Sequence, residues 1–417
     1  MTMDEPKTND DWLQLKLDVS RLFSAAPLSQ AIRRRENPYT GRISEVRVMM
    51  DAVQDPAKHI LLYGERGLGK TSLANTFWMN RDTVRQPLFA ARVQVYPSDD
   101  FSSLWSRALD EFQAAFPVSY KRDAPSKFEH VSPDIVRREF QKVPQGVGAI
   151  MVVDEFDLLQ EREARELTAN LIKALHDQGS NVTVILIGVA ENVDELIINH
   201  RSLRRVLSFV KLDRMGIADL NTILNERFRL TPLILSDDAR EEIVTLACGL
   251  PYYIQTLGKF AAQHAIQHQR LRVQIEDVSA AIDNFLIESG ESFAGDYQRA
   301  TDSRQAGNIF QEVILASALA PSHASGVFKI EEVAKTLTLI GSDKRQYHPR
   351  VQQYLAQFTS DRRGKILIRS GIKSDYRYRF SDALMQPFII MRAMKTAMID
   401  ERLRRLLFHS SCLTRQS

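Results

Sequence analysis

The chain has 417 residues, 44% of them hydrophobic, with a formal net charge of +3. That length supports two or three domains, each able to bury its own core. Two cysteines, Cys248 and Cys412, offer neither a disulfide framework nor metal-ligand spacing, and no apolar run approaches the roughly 20 residues that span a bilayer. The stretch Met1 to Asp10 is acidic and polar, unlike a signal peptide, so the expected address is the cytoplasm.

Residues 1–36 read as an N-terminal extension. His59 to Tyr63 form an apolar run expected as a buried strand, and Ser72 to Met79 are expected as a helix. Between them stands Gly64-Glu65-Arg66-Gly67-Leu68-Gly69-Lys70-Thr71, a complete phosphate-binding loop in the strand–loop–helix setting the motif requires. Glycines 64, 67 and 69 allow φ > 0, so that successive N–H groups turn inward onto phosphate oxygens. Lys70 supplies a point charge for the β- and γ-phosphates, Thr71 offers a hydroxyl to Mg²⁺, and Ser72 continues the helix at the phosphate end. The expected cofactors are ATP and Mg²⁺.

Leu88 to Tyr96 read as a strand and Phe101 to Phe116 as an amphipathic helix. A surface insertion, Pro117 to Ser132, precedes a helix from Pro133 to Lys142. Gly148 to Val153 is a continuous apolar run, the mark of a central parallel strand buried on both faces. Its C-terminal end, where an open α/β sheet places its ligand, carries Asp154 and Glu155. Either acid alone could be a cap or a surface charge. Together with the phosphate loop they read as a Mg²⁺ ligand (Asp154, opposite Thr71) and the general base that polarises water (Glu155). No N-K-x-D guanine-reading motif occurs, so ATP is favoured over GTP. Glu161 to Asp177 read as a helix and Val182 to Gly188 as the next strand. After it comes Asn192, a candidate γ-phosphate sensor, with Glu191 the neighbour that could take its place.

These residues, the Arg-rich segment that follows and Cys248-Gly249-Leu250-Pro251-Tyr252-Tyr253-Ile254 together resemble AAA+ ATPases of the origin-recognition/initiator type and bacterial relatives that overlap with signal-transduction ATPases. The likeness covers roughly Asn37 to Leu286. It implies an α/β fold: a parallel-sheet P-loop core (37–214), a helical lid (215–290), a linker (291–304), a C-terminal winged-helix domain (305–398) and a tail (399–417). Tyr39-Thr40-Gly41-Arg42-Ile43-Ser44-Glu45 is similar to a box that packs near the adenine in such proteins, which makes Arg42 a candidate nucleotide contact. The resemblance also implies an arginine finger acting on a neighbouring subunit's nucleotide, with Arg204 and Arg205 as candidates, and hence a homo-oligomer. Relatives often carry a lid arginine in Gly-x-Pro-Arg. This chain has Gly249-Leu250-Pro251-Tyr252 in its place, which implies slow, switch-like turnover.

Four helices of the lid are expected over Ala218–Phe228, Ser236–Cys248, Tyr252–Gln267 and Ile275–Leu286 from their three-to-four apolar spacing. After a polar link around Ser289 to Arg304, helices are expected over Ala306–Ala320, Ile330–Leu337 and His348–Phe358. A hairpin of Lys365–Arg369 with Tyr376–Phe380 follows, completing a winged helix. From Thr301 onward there are 19 Lys/Arg against 10 Asp/Glu, which points to a polyanionic partner. Lys344, Arg345 and Arg350 lie in or before the third helix, and Arg362, Arg363, Lys365, Arg369 and Lys373 crowd the wing, a set suited to duplex DNA phosphates. The competing reading is a winged helix that holds a protein partner or effector. Ser381 to Met398 read as a helix, and Glu401 to Phe408 as a short amphipathic end.

Overall fold

The structure, a computed structural model, describes residues 6–24, 41–55, 58–79, 88–116, 130–144, 146–190, 203–288, 290–304, 307–321, 325–340, 348–372, 375–400 and 403–404. These fall into two compact units, Ala26–Asp213 on one hand and Met1–Ala25 with Arg214–Ser417 on the other. No helix among the described residues is long and apolar enough to cross a membrane.

Helix α1 (Asn9–Leu22) opens with a reciprocal cap: Asp11 N donates to the Thr8 hydroxyl at 3.2 Å, and Thr8 N donates to the Asp11 carboxylate at 2.8 Å. In the Ala26–Asp213 unit, α2 (Ile43–Gln54) leads into β1 (His59–Gly64), and α3 (Lys70–Thr76) follows the glycine-rich loop. The helix expected from Ser72 thus starts two residues earlier, at Lys70 behind the left-handed cap Gly69, and ends in a 3₁₀ turn over Phe77–Met79. Then come β2 (Leu88–Gln94), α4 (Phe101–Ala115) and α5 (Pro133–Gln141). The unit closes with β3 (Gly148–Asp154), α6 (Arg162–Asp177), β4 (Val182–Val189), the single turn α7 (Leu203–Val206) and β5 (Leu207–Leu212).

All five strands are parallel, in the order β2-β3-β4-β1-β5. β1, β3 and β4 are interior and predominantly apolar, as expected of strands covered on both faces. One face carries an aromatic core: Trp105 packs against Phe101 and Phe140, and Phe112 against Phe140, with ring centroids 4.7–6.3 Å apart. Trp105 Nε1 donates to the Thr168 hydroxyl at 3.2 Å, so the indole is buried without an orphaned donor. Because β4 lies between β3 and β1, the C-terminal ends of all three strands meet along one edge of the sheet.

The other unit contains α8 (Ile217–Arg229), β6 (Ile234–Leu235), α9 (Asp237–Leu246), α10 (Pro251–Gln267), β7 (Arg272–Val273) and α11 (Ile275–Glu288). Helix α1 belongs with them. Phe23, just beyond its end, is buried with its ring 5.3 Å from that of Phe228, and a Cβ at Gly258 would lie 2.7 Å from Phe23 Cε1. Asp277, fully buried, accepts from Arg270 and from Gln274 N and pairs with His264, which ties α10 to α11.

The segment expected as a polar link forms helix α12 (Gly290–Thr301) instead. Its composition is polar, but Phe293, Tyr297 and Ala300 recur at helical spacing. Tyr297 and Ala300 are buried, and the rings of Phe293 and Tyr297 sit 5.5 and 6.3 Å from Phe388. The burial of that narrow stripe outweighs the polar remainder.

A winged helix follows: α13 (Phe310–Leu319), β8 (Phe328–Lys329), α14 (Ile330–Ile340), α15 (His348–Phe358), β9 (Leu367–Ser370) and β10 (Arg377–Phe380). β10 pairs antiparallel with both β9 and β8. Gly371 turns the hairpin with φ +85°, and a Cβ there would meet Asp375 O at 2.4 Å. Helix α16 (Met385–Lys395) is the buried element expected around Phe388; Gln386 Nε2 donates to Ala318 O at 2.7 Å, and its amide oxygen takes Arg214.

Candidate nucleotide site and basic wing

The glycine-rich loop is fixed by two backbone constraints. Gly64 has φ +147° and lies so close to β5 that a Cβ would stand 2.4 Å from Leu212 O; only glycine fits there. Gly67 and Gly69 have φ of +82° and +84°, and Gly69 caps α3. Leu68 is buried and anchors the loop, whereas Arg66 is exposed. Lys70 is only 9% exposed, and its ammonium donates to Gly64 O at 3.0 Å and Glu65 O at 2.8 Å. Burial pushes the Lys70 ammonium down to about 8, although Asp157, Asp154 and Glu65 oppose the fall.

From that loop Thr71 Oγ1 donates to Asp154 Oδ2 at 2.8 Å, across the end of β4. Glu155 N donates to the other oxygen of Asp154 at 2.9 Å. Glu155 itself has φ +58°, a left-handed backbone that a non-glycine residue holds only against strain. The kink turns its carboxylate toward β2, where Gln94 Nε2 donates to Glu155 Oε2 at 2.7 Å. Just beyond, Val189 N at the end of β4 donates to Asp157 at 2.9 Å, tying the 3₁₀ turn Phe156–Leu158 to the same sheet edge. The structure therefore gathers Gly64 to Thr71, Asp154 and Glu155. A hydroxyl and a carboxylate 2.8 Å apart form a hard oxygen pair, which suits Mg²⁺ completed by phosphates and water.

Of the other expected site residues, Arg42 stands beside the loop and the finger candidates stand far from it. Arg42 is buried at the start of α2, paired with Glu45 at 2.9 Å and donating to Asp213 O at 2.7 Å, so its guanidinium ties α2 to the end of β5. Arg204 and Arg205 are exposed on α7, at the opposite end of the sheet from the loop, where Lys58 Nζ donates to Arg205 O at 2.8 Å. Asn192 and Glu191 lie outside the described residues, as do Lys344, Arg345 and Lys373.

In the winged helix, Arg350, Arg362, Lys365 and Arg369 are exposed; the Arg369 guanidinium sits 4.4 Å from the centre of the Tyr376 ring. Arg363 is different. It donates to Ala300 O and Asp302 O and lies 3.7 Å over the Phe310 ring, so it clamps the end of α12 to the winged helix and does not share the wing's exposed charge. Asp375 draws Lys329 (2.9 Å) and Arg377 (3.1 Å) onto itself.

The sequence reading missed two residues at the nucleotide edge, Arg92 and Gln94 on β2. Gln94 stands in register with Asp154 and holds Glu155, and Arg92 forms an ion pair with Asp154 at 2.8 Å. Their i, i+2 spacing on a strand was the available signal, since alternate residues share a face. Which face it was depended on register.

A phosphate loop after β1, an acidic pair at the end of β3 with β4 between the two strands, and a parallel sheet in this order define a P-loop nucleotide-binding domain. Residues 53–197 match the family model of an AAA domain. No curated protein matches the chain. Among solved structures it is similar to the Orc1 protein of Aeropyrum pernix in complex with DNA, at 14% identity over 93% of this chain and 98% of that one, TM-score 0.49. It is also similar to Cdc6p from Pyrobaculum aerophilum (14% identity, 92% and 99% covered, TM-score 0.48). A third is Drosophila ORC bound to DNA (14% identity, 94% and 95% covered, TM-score 0.42).

Proposed function

We propose that the protein is an ATP-hydrolysing switch: nucleotide binding assembles subunits on DNA through the basic winged helix, and hydrolysis releases or remodels the complex. The observation that carries the enzymatic half is the 2.8 Å contact between Thr71 and Asp154, with Glu155 beside it, at the mouth of the phosphate loop. Thr71 and Asp154 would hold Mg²⁺, which supplies charge neutralisation of the phosphates. Lys70 binds the β- and γ-phosphates, and Glu155 takes the proton of the attacking water. Gln94 holds Glu155 by one oxygen and orients it.

Assembly enters through Arg204 and Arg205. β1 separates their end of the sheet from its own phosphate loop by five residue steps, about 17 Å at strand rise. A finger at this position serves a neighbouring subunit's nucleotide and not its own, so a homo-oligomer is implied.

DNA binding is supported by the exposed set Arg350, Arg362, Lys365 and Arg369. Two exposed apolar residues in the same domain, Leu339 (63%) and Ile372 (70%), favour the second reading, a winged helix that holds a protein partner. Affinity for duplex DNA of unrelated sequences, measured against salt, separates them. Phosphate contacts predict binding that weakens linearly in log–log form, by about 0.9 per contact. Absence of binding at low salt, with the protein folded, leaves the protein-partner reading.

A further inference from the structure

Asp154 is almost wholly enclosed, with 3% of its side chain exposed, and each of its oxygens already has a protein partner. Oδ1 accepts from Glu155 N. Oδ2 is shared: the Thr71 hydroxyl reaches it at 2.8 Å and Arg92 Nη2 also at 2.8 Å. Arg92 comes from β2, the edge strand, in register with Val152, two residues below the Gln94–Asp154 pair. Its side chain climbs the strand to reach the carboxylate, while 37% of it stays in contact with solvent.

The geometry points to Arg92 as a resident counter-cation for the metal-ligating carboxylate, one that competes with Mg²⁺ for Asp154 Oδ2. Two physical requirements meet at this oxygen. A buried carboxylate without a cationic partner is costly, and the same carboxylate beside polyphosphate repels it unless a positive charge offsets its own. Arg92 meets both needs while no divalent ion is bound. A cation that coordinates Thr71 and Asp154 has to take Oδ2 from the guanidinium, so Arg92 sets how much Mg²⁺ the site demands. Arg92 is thus a positioning residue for the metal ligand.

This inference rests on the nucleotide reading, and the test separates the two. The equilibrium affinity of a fluorescent ATP analogue is measured in EDTA and across a Mg²⁺ titration, for the parent, Arg92→Gln and Arg92→Lys, with folding followed by circular dichroism. Arg92→Gln should weaken nucleotide binding in EDTA and move the Mg²⁺ midpoint to lower concentration, each by about two- to fivefold, the range one partly exposed ion pair is worth. Arg92→Lys keeps the charge with a shorter, unforked reach and should shift both quantities in the same direction by less. No analogue binding by the parent in either condition would sink the nucleotide reading itself. Parental binding with an unchanged Mg²⁺ midpoint in every variant that keeps its fold overturns the role of Arg92 and reduces the ion pair to a structural contact.

Discussion

Lys70 makes nucleotide affinity depend on pH in a way the structure quantifies. Its ammonium is enclosed with two backbone carbonyls as acceptors, and burial lowers its titration to about 8 in the ligand-free protein. Phosphate binding requires the charged form, so nucleotide must pull a proton onto Lys70 whenever the pH exceeds that value. Linkage then makes affinity nearly flat below pH 8 and weakens it toward tenfold per unit above; between pH 7 and pH 9 the dissociation constant should rise about tenfold. The nucleotide phosphates are already largely ionised in this range, their second ionisation lying near pH 6. Calorimetry in two buffers of different ionisation enthalpy at pH 8 should record uptake of about half a proton per nucleotide bound. Stability of the ligand-free protein should move the other way, because the folded state binds fewer protons than the unfolded chain between about 8 and 10.5. Folding therefore gains up to about 3 kcal/mol as the pH rises through that window. A dissociation constant that stays level from pH 7 to 9, with no proton uptake, would refute the reasoning. Lys70→Ala should abolish binding at every pH.

Four further outcomes are expected. Glu155→Gln should retain nucleotide binding and lose phosphate release by about 10²–10⁴-fold, the usual worth of a positioned base; turnover equal to the parent's would remove Glu155 from that role. Specific ATPase activity should rise with protein concentration, and mixing Lys70→Ala with Arg204→Ala/Arg205→Ala subunits should restore part of it; concentration-independent turnover by a verified monomer excludes a finger in trans. Arg350→Glu/Arg362→Glu/Arg369→Glu, which leaves Arg363 in its clamp, should weaken DNA binding at any sequence and flatten the salt slope by about 0.9 per lost contact without loss of nucleotide binding; an unchanged slope argues for a protein partner. His59, buried at the start of β1 with Nδ1 accepting from Val184 N at 3.1 Å, is pushed down to about 3 by burial and by His176, so stability should fall by about 1.4 kcal/mol per unit as the pH drops from 6.5 toward 3. Chemical denaturation of His59→Gln should show a flatter acid profile than the parent, and parallel profiles count against the assignment.

What the sequence determined by itself is the chemistry that depends on local spacing. The phosphate loop needs glycines at fixed offsets between a strand and a helix, and those offsets are written in Gly64, Gly67 and Gly69 with Lys70 and Thr71 beyond them. The apolar run ending in Asp154 and Glu155 is likewise a local pattern, because a strand buried on both faces has no polar position to spare. Helices α8 to α11 and the three helices of the winged helix were readable from periodicity for the same reason. Tertiary structure decided whatever depends on a partner distant in the chain. The polar sequence of α12 concealed a three-residue stripe whose worth appears only when Phe388 is beside it. Arg363 looked like its basic neighbours until Ala300, Asp302 and Phe310 were seen to enclose it. Arg42 does stand beside the phosphate loop, because Asp213 follows Leu212, the register partner of Gly64, but only the fold shows its guanidinium held by Glu45 and Asp213 O. Helix α1 shows an apolar face of Leu15, Val19 and Phe23, but only the missing side chain of Gly258 reveals what that face covers. Arg92 and Gln94 reach Asp154 and Glu155 because parallel register sets β2 beside β3 with Gln94 opposite Asp154. Register is a property of two strands, set by how their buried faces fit, and neither strand's sequence states it alone.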